Sequence, residues 1–413
     1  MNIYHTSLFY VIIAIILLET FFDFILGELN RKSWCNHVPD LLKDVYPEDK
    51  FQQQKKYRLV NYQFDMIISI ISLVFILLFL WYEGFKWIDE LIFQYNTPPF
   101  LNSLIFFAVI GLASVLLSLP FSIYETFFIE QRFGFNTTTW KTFFFDLIKT
   151  LTLGALLGGV VLSLVLWLYQ WAGSMFWLYA WAGISAFSIF MGFFYSTLIM
   201  PLFNKFTTLE EGELRTAIEK MCQKTEFPLQ KIFIMDGSKR STKSNAFFSG
   251  FGKNKRIVLF DTIIKELTTD EIVAVLAHEI GHYKMKHTIR GSIFGVFHSG
   301  FILFLLGWFI NNPAISMALG VSEPSFHIGL IGFGLLYSPV SAITGLAMTI
   351  LSRKQEYKAD SFAAKHANSQ ALGTALKKIS ASSFSNPTPH PLFVFFNYSH
   401  PPLLKRLEVL MKN

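Results

Sequence analysis

His278, Glu279 and His282 stand in the run Ala277-His278-Glu279-Ile280-Gly281-His282. On a helix, residues four apart lie about 40° apart around the axis, so both imidazoles face the same way. That spacing suits a zinc ion taking two nitrogen ligands from a single turn. Glu279, next to the first histidine, sets a carboxylate where it can take a proton from water activated by the ion. The chemistry this pattern implies is metal-assisted hydrolysis. It requires a helix, and Thr268 with Glu271 three residues later reads as the capping box that opens one. Ile272, Val273, Val275, Leu276 and Ala277 supply its apolar face.

A hydrolytic zinc site needs a third protein ligand, with the fourth position left for water. The run Arg353-Lys354-Gln355-Glu356-Tyr357-Lys358-Ala359-Asp360 offers Glu356 for the metal. Asp360, one turn on and on the same face, is placed to accept a ring N–H from a ligating histidine and fix its tautomer. His287 follows His282 by five residues, about 140° around a continuous helix, and is not expected on the metal. Cys35 and Cys222 are the only cysteines, so neither a disulfide framework nor a cysteine zinc site is available.

The elements that must position these residues lie in a membrane. Of 413 residues, 52% are hydrophobic and only 15% charged, against about 25% in soluble domains. Mean hydropathy is +0.42. Runs of roughly 20 apolar residues, enough to cross a bilayer, occupy 4–29, 66–87, 100–121, 150–169, 176–203, 293–310 and 327–351. The first lacks a basic leader and a cleavage site, and is expected to be retained. Pro120 and Pro339 are expected to kink or end their spans.

Basic residues crowd alternate loops, including Arg31, Lys32, Lys43, Lys50, Lys55, Lys56 and Arg58 in the first. The loop 204–291 and the tail after 351 are basic too. This asymmetry puts the amino terminus outside and the His278 segment in the cytosol. It also accounts for the net charge of +6 without a nucleic-acid partner. The chain divides into 1–203 (five spans with their loops), 204–291 (cytosolic, with the His278 helix), 292–351 (two spans) and 352–413 (cytosolic, with Glu356). In the cytosolic pieces, 210–224, 352–367, 371–379 and 403–411 read as helices. Segments 231–235 and 256–260 read as strands, and 244–252 as an edge strand or loop. Glu19 and Asp23 interrupt the first span and are expected to line a hydrated space, while Glu125 and Glu130 should make structural pairs.

Five stretches together resemble one known family, the integral-membrane zinc CAAX prenyl endopeptidases. They are HEIGHYKMKH from His278, the Glu356–Asp360 helix, Ser244-Asn245-Ala246-Phe247, the run ETFFIEQRFGFN from Glu125, and HPPLLKR from His400. The resemblance covers nearly the whole chain. It implies an all-α polytopic membrane protein whose seven transmembrane helices form a barrel around a large chamber. A small, mostly helical zinc-peptidase domain with short β-strands would be split across the last two spans.

The resemblance further implies Zn2+ on His278, His282 and Glu356, with Glu279 as general base and then proton donor. Asn245 and Ala246 would pair with an extended substrate as an added strand. His400 would help stabilise the oxyanion, and Arg406 would brace the site against Asp360. The implied partners are the lipid bilayer and a peptide or protein substrate, lipidated substrates included. Chain length and the lack of an evident retrieval signal point to a bacterial inner membrane, with the endoplasmic reticulum membrane as the alternative. The rival functions are a membrane quality-control zinc protease without prenyl specificity, and a transporter or receptor with a vestigial metal site. The intact His278, Glu279, His282 and Glu356 speak against the last. The sequence does not address oligomeric state.

Overall fold

The structure is a computed structural model that describes residues 6–249 and 255–411. Apolar runs become helices, and they stop where a cap, a turn or a left-handed residue stops them. Thr6 caps α1 (Ser7–Lys32), whose last turn carries Arg31 and Lys32, where the helix dipole favours cations. α2 (Glu48–Trp81) has a polar first half and an apolar second half. The expected span 66–87 is corrected here. α2 ends at Trp81, Glu83 is left-handed (φ 55°), and Trp87 belongs to a separate α3 (Gly84–Phe93). A left-handed residue cannot continue a right-handed helix.

α4 (Pro99–Tyr124) passes through Pro120 and widens into a π-helical segment, Glu125–Glu130. Neither Pro120 nor Pro339 ends its helix. α5 (Trp140–Ala172) and α6 (Phe176–Phe194) form a hairpin about a short turn at Gly173–Met175. A second π segment, Tyr195–Ile199, leads into α7 (Met200–Phe203).

The sheet comes next. β1 (Phe206–Thr208), not anticipated from the sequence, is followed by α8 (Glu213–Lys224), β2 (Leu229–Met235), β3 (Ala246–Ser249) and β4 (Lys255–Phe260). The strand order is β1-β2-β4-β3, with β2 and β4 parallel and the outer pairings antiparallel. β3 is therefore an edge. Residues 250–252 of the expected 244–252 segment lie outside the described residues. α9 (Asp261–Glu266) precedes α10 (Thr269–Lys284), which opens with the capping box formed by Thr268 and Glu271. α11 (His287–Phe309) and α12 (Pro313–Ala318) lead to α13 (Phe326–His366). The chain closes with α14 (Ser369–Ser382), α15 (Pro391–Asn397) and α16 (Leu403–Leu410).

The expectation of a new helix at residue 352 is also corrected. α13 runs 41 residues without a break, so one rod carries the last span and Glu356 together. No proline, glycine or left-handed residue lies between 346 and 366 to interrupt it.

Six helical stretches are long and apolar enough to cross a membrane, and one of them, Trp140–Phe203, contains the α5–α6 hairpin. Their packing closes a ring. α1 lies on α2, and α2 reaches α4 through α3 and the first π segment. α4 then meets α5, α5 meets α6, α6 meets α11, α11 meets α13, and α13 returns to α1. Between α13 and α1, Ser338 donates to Glu19 at 3.0 Å. At the end remote from α10, His327 ties three elements together. Its Nε2 lies 2.6 Å from Asp89, and its Nδ1 is 3.0 Å from Ser103.

The other end carries a separate core. Ile257 and Leu259 of β4, Ile272, Leu276 and Ile280 of α10, Ala363 of α13 and Leu372 of α14 are all buried together. Each of the Ile and Leu side chains contributes about 1.5–3 kcal/mol of burial. The basic loop after α1 packs Val38, Leu42, Tyr46 and Phe51 against Leu407 of α16, on this same end. Cys35 and Cys222 are both free.

Candidate metal centre

The capping box starts α10 at a defined residue, and its apolar face then seats it between β4 and α14. With that register His278 and His282 point at α13. Gly281 makes the approach possible: a Cβ there would lie 3.2 Å from the Ala359 Cα and 3.1 Å from the Phe362 Cβ. That is tighter than most real Cβ contacts, so a residue without a side chain eases the approach.

His278 Nε2 and His282 Nε2 are 3.2 Å apart. His282 Nε2 is 3.1 Å from Glu356 Oε1, and His278 Nε2 is 3.4 Å from Glu356 Oε2. Glu356 is 3% exposed, and its Oε2 has no hydrogen-bond partner. A buried carboxylate oxygen left this way is costly unless something else satisfies it. The donor spacing tests what that is. A tetrahedral zinc site with ligands at about 2.0–2.1 Å has edges of about 3.3 Å, close to the three separations here. The donor set of two nitrogens and a carboxylate also suits that ion. The residues fit the metal.

Around the donors lies a buried frame. Asp360, fully buried, sets Oδ1 2.8 Å from His278 Nδ1. Arg406 donates to Asp360 through Nε (2.8 Å) and Nη2 (2.6 Å), and its Nη1 lies 3.6 Å from Glu356 Oε2. Burial alone would keep His278 neutral, but the Asp360 and Glu356 carboxylates pull its pKa up to about 9. His400 Nε2 reaches within 3.5 Å of Glu356 Oε1 from a largely exposed position, with its Nδ1 2.9 Å from Ser399 Oγ.

Glu279 and His282 face a cavity of about 730 Å³ that is also lined by Phe247 and Phe248 of β3. The Phe260 N–H donates to the Asn245 carbonyl at 3.0 Å, while Asn245 Oδ1 accepts the Ala246 N–H at 2.8 Å. Among the described residues the outer edge of β3 carries no other strand.

His287 is where sequence geometry fell short. Lys286 is left-handed (φ 57°), so His287 starts a new helix and folds back, its Nδ1 3.1 Å from His282 Nδ1. The donors that cluster among the described residues are His278, His282 and Glu356, and His287 lies against one of them. A Lys-His pair carries no local turn signal that would have revealed this. Sequence reasoning also missed Lys243. Its Nζ bonds Glu130 (3.0 Å) and Tyr57 (3.2 Å), pinning the lead-in to β3 onto α2 and the π segment. Glu130 thus does make the pairing expected of it.

Comparison with known proteins agrees with this arrangement. Residues 30–205 match the profile described as CAAX prenyl protease N-terminal, five membrane helices, and residues 208–413 match Peptidase family M48. The Probable CAAX prenyl protease 1 of Schizosaccharomyces pombe is 37% identical over 387 residues, 90% of this chain and 81% of that protein. The CAAX prenyl protease 1 homolog of Oryza sativa is 34% identical over 410 residues, 96% of this chain and 95% of that protein. Length therefore does not separate this chain from eukaryotic relatives, and the bacterial source expected from it draws no support there. The crystal structure of S. mikatae Ste24p superposes with a TM-score of 0.93 at 33% identity, covering 98% of this chain and 99% of that one.

Proposed function

The chain belongs to the M48 peptidases, among the membrane-embedded CAAX prenyl proteases, and from that premise we propose that it is a zinc-dependent endopeptidase cutting near the C-terminus of CAAX-type prenylated peptides. The observation that carries this is the buried Glu356 carboxylate, with no hydrogen bond at Oε2, at the meeting point of His278 and His282. These three residues would hold the ion. When bound, zinc supplies Lewis acidity and brings the pKa of a water molecule near neutrality.

Every other role falls to the chain. Glu279 takes the proton of the attacking water and passes it to the departing amine, so the carboxylate is regenerated each turnover. His400, at the open rim, donates to the oxyanion. The substrate lies along β3 as an added strand, its carbonyl replacing Asn245 Oδ1 on the Ala246 N–H. Asp360, held by Arg406, keeps His278 in the tautomer that presents Nε2 to the metal.

The basic first loop packs at the same end as this centre, which supports a cytosolic site and an amino terminus on the far side. Segments 204–291 and 352–413 would together form the peptidase part, with the ring of spans holding the substrate's lipid.

The test compares wild type with Glu279→Gln on a farnesylated Cys-a-a-X peptide and its unprenylated twin, with zinc content measured on the same samples. Wild type should hold zinc and cut the prenylated peptide, and the variant should hold zinc and cut neither. Equal cleavage of both peptides by wild type would favour the quality-control protease. A zinc-free wild type would favour a vestigial site.

A further inference from the structure

The cavity beside Glu279 and His282 is wider than metal chemistry alone requires. Its walls are Phe247 and Phe248 from β3, Tyr195 and Met200 from the α6–α7 junction, and Ile289 from the start of α11. Two cations join these walls. Lys255, the first residue of β4, holds Nζ 3.1 Å from the centroid of the Tyr283 ring and 5.5 Å from that of Phe227. Partial burial lowers its pKa to about 8. Lys286 stands at the left-handed junction between α10 and α11, and no acidic residue occupies the first turn that follows it.

Among the described residues neither ammonium makes an ion pair, whereas nearby Lys284 approaches Glu226 at 3.8 Å. Among the described residues Glu279 is the only carboxylate lining the cavity, and it forms an ion pair with neither lysine. An ammonium held over rings, partly out of water and without an anion, is incompletely compensated. Apolar walls with one such cation, Lys255, and a second, exposed cation at Lys286 complement a short apolar peptide that ends in a free carboxylate.

Resting on the endopeptidase reading above, we propose that Lys255 and Lys286 receive the substrate's C-terminal carboxylate, so that the enzyme selects a bond a fixed short distance from a chain end. Three extended residues span about 10 Å, and one cavity of about 730 Å³ is lined by Glu279 and His282 together with Lys255 and Lys286. Lys255 is braced by its aromatic neighbours and sets the position. Lys286, exposed at the mouth, adds attraction at longer range.

The test uses two farnesylated Cys-a-a-X peptides that differ only in ending as carboxylate or carboxamide, with metal-loaded full-length enzyme. In wild type the carboxylate peptide should show kcat/KM higher by about tenfold, mostly through KM, as one charge-assisted contact provides. In Lys255→Met that ratio should fall toward one, in Lys286→Gln it should fall partway, and Lys255→Arg should keep it. Equal cleavage of the two peptides by wild type, or a ratio unmoved by both neutral variants, overturns the proposal.

Should neither peptide be cut, the endopeptidase reading is at fault, and binding then decides this proposal separately. Calorimetry with the free a-a-X tripeptide should show the acid binding wild type about tenfold more tightly than its amide, with the difference lost in Lys255→Met. Equal binding of acid and amide overturns it.

Discussion

Arg406 and Asp360 meet as a two-point fork, with Arg406 Nε donating to Oδ2 at 2.8 Å and Nη2 to Oδ1 at 2.6 Å in a buried pocket. Asp360 Oδ1 also lies 2.8 Å from His278 Nδ1, so the fork orients one of the three proposed metal donors. Arg406→Ala leaves Asp360 buried without its cation, which costs about 3–5 kcal/mol. The variant is expected to melt well below wild type in detergent. Asp360→Asn keeps the shape but loses the charge facing His278, and should bind zinc about 10–100-fold more weakly. Wild-type melting and zinc affinity in these two variants would remove the fork from the site.

Gly281→Ala tests how closely α10 and α13 must approach. Its Cβ would meet the Ala359 backbone at 3.2 Å, which cannot swing aside as a flexible side chain could. Overpacking of this kind costs about 1–3 kcal/mol, and the displacement falls on the helices that carry His282 and Glu356. Zinc content per chain should drop together with thermal stability. Full zinc occupancy at wild-type stability would show that the contact is slack.

Metal affinity should depend on pH through His278. Its pKa in the metal-free chain is raised from 6.5 to about 9, so near neutrality the ion must displace a proton. Apparent zinc affinity should rise about tenfold per pH unit for this one proton, levelling off above about pH 9. The stability of the metal-free protein runs the opposite way. The folded state binds this proton more tightly than the unfolded chain does, so the stabilisation is complete below about pH 6.5 and disappears as pH rises through about 9. Zinc titration against a competing chelator, with parallel melts of the stripped protein, measures both. A flat affinity profile from pH 6 to 9 contradicts the assignment.

Lys243 ties the lead-in of β3 to Glu130 and Tyr57, and it also lies 4.6 Å from the centroid of the Phe135 ring. Lys243→Met should loosen the edge proposed to receive the substrate while leaving the metal donors in place. The expected result is KM raised severalfold, with kcat and zinc content near wild type. A loss confined to kcat would point away from substrate alignment.

The source of each feature can be followed residue by residue. The His278–His282 and Glu356–Asp360 spacings were legible because helical periodicity alone puts residues four apart on one face. The capping box was legible because Thr268 and Glu271 satisfy each other's backbone locally. The apolar spans were legible because a bilayer demands length and composition and little else. These are short-range or compositional constraints, and a linear sequence records them directly.

The rest depends on which surfaces meet. That α13 continues unbroken from its span to Glu356, and that Gly281 lets α10 settle against it, is decided by packing between helices far apart in the chain. The left-handed turn at Lys286 sends His287 back to His282, where continuous helical geometry had turned it away. Lys255 reaches the Glu279 cavity because β4 starts beside α10, although the two belong to separate sequence segments. The residue types and their local spacing were written in the sequence. Their convergence on one point came from long-range packing, which no local periodicity encodes.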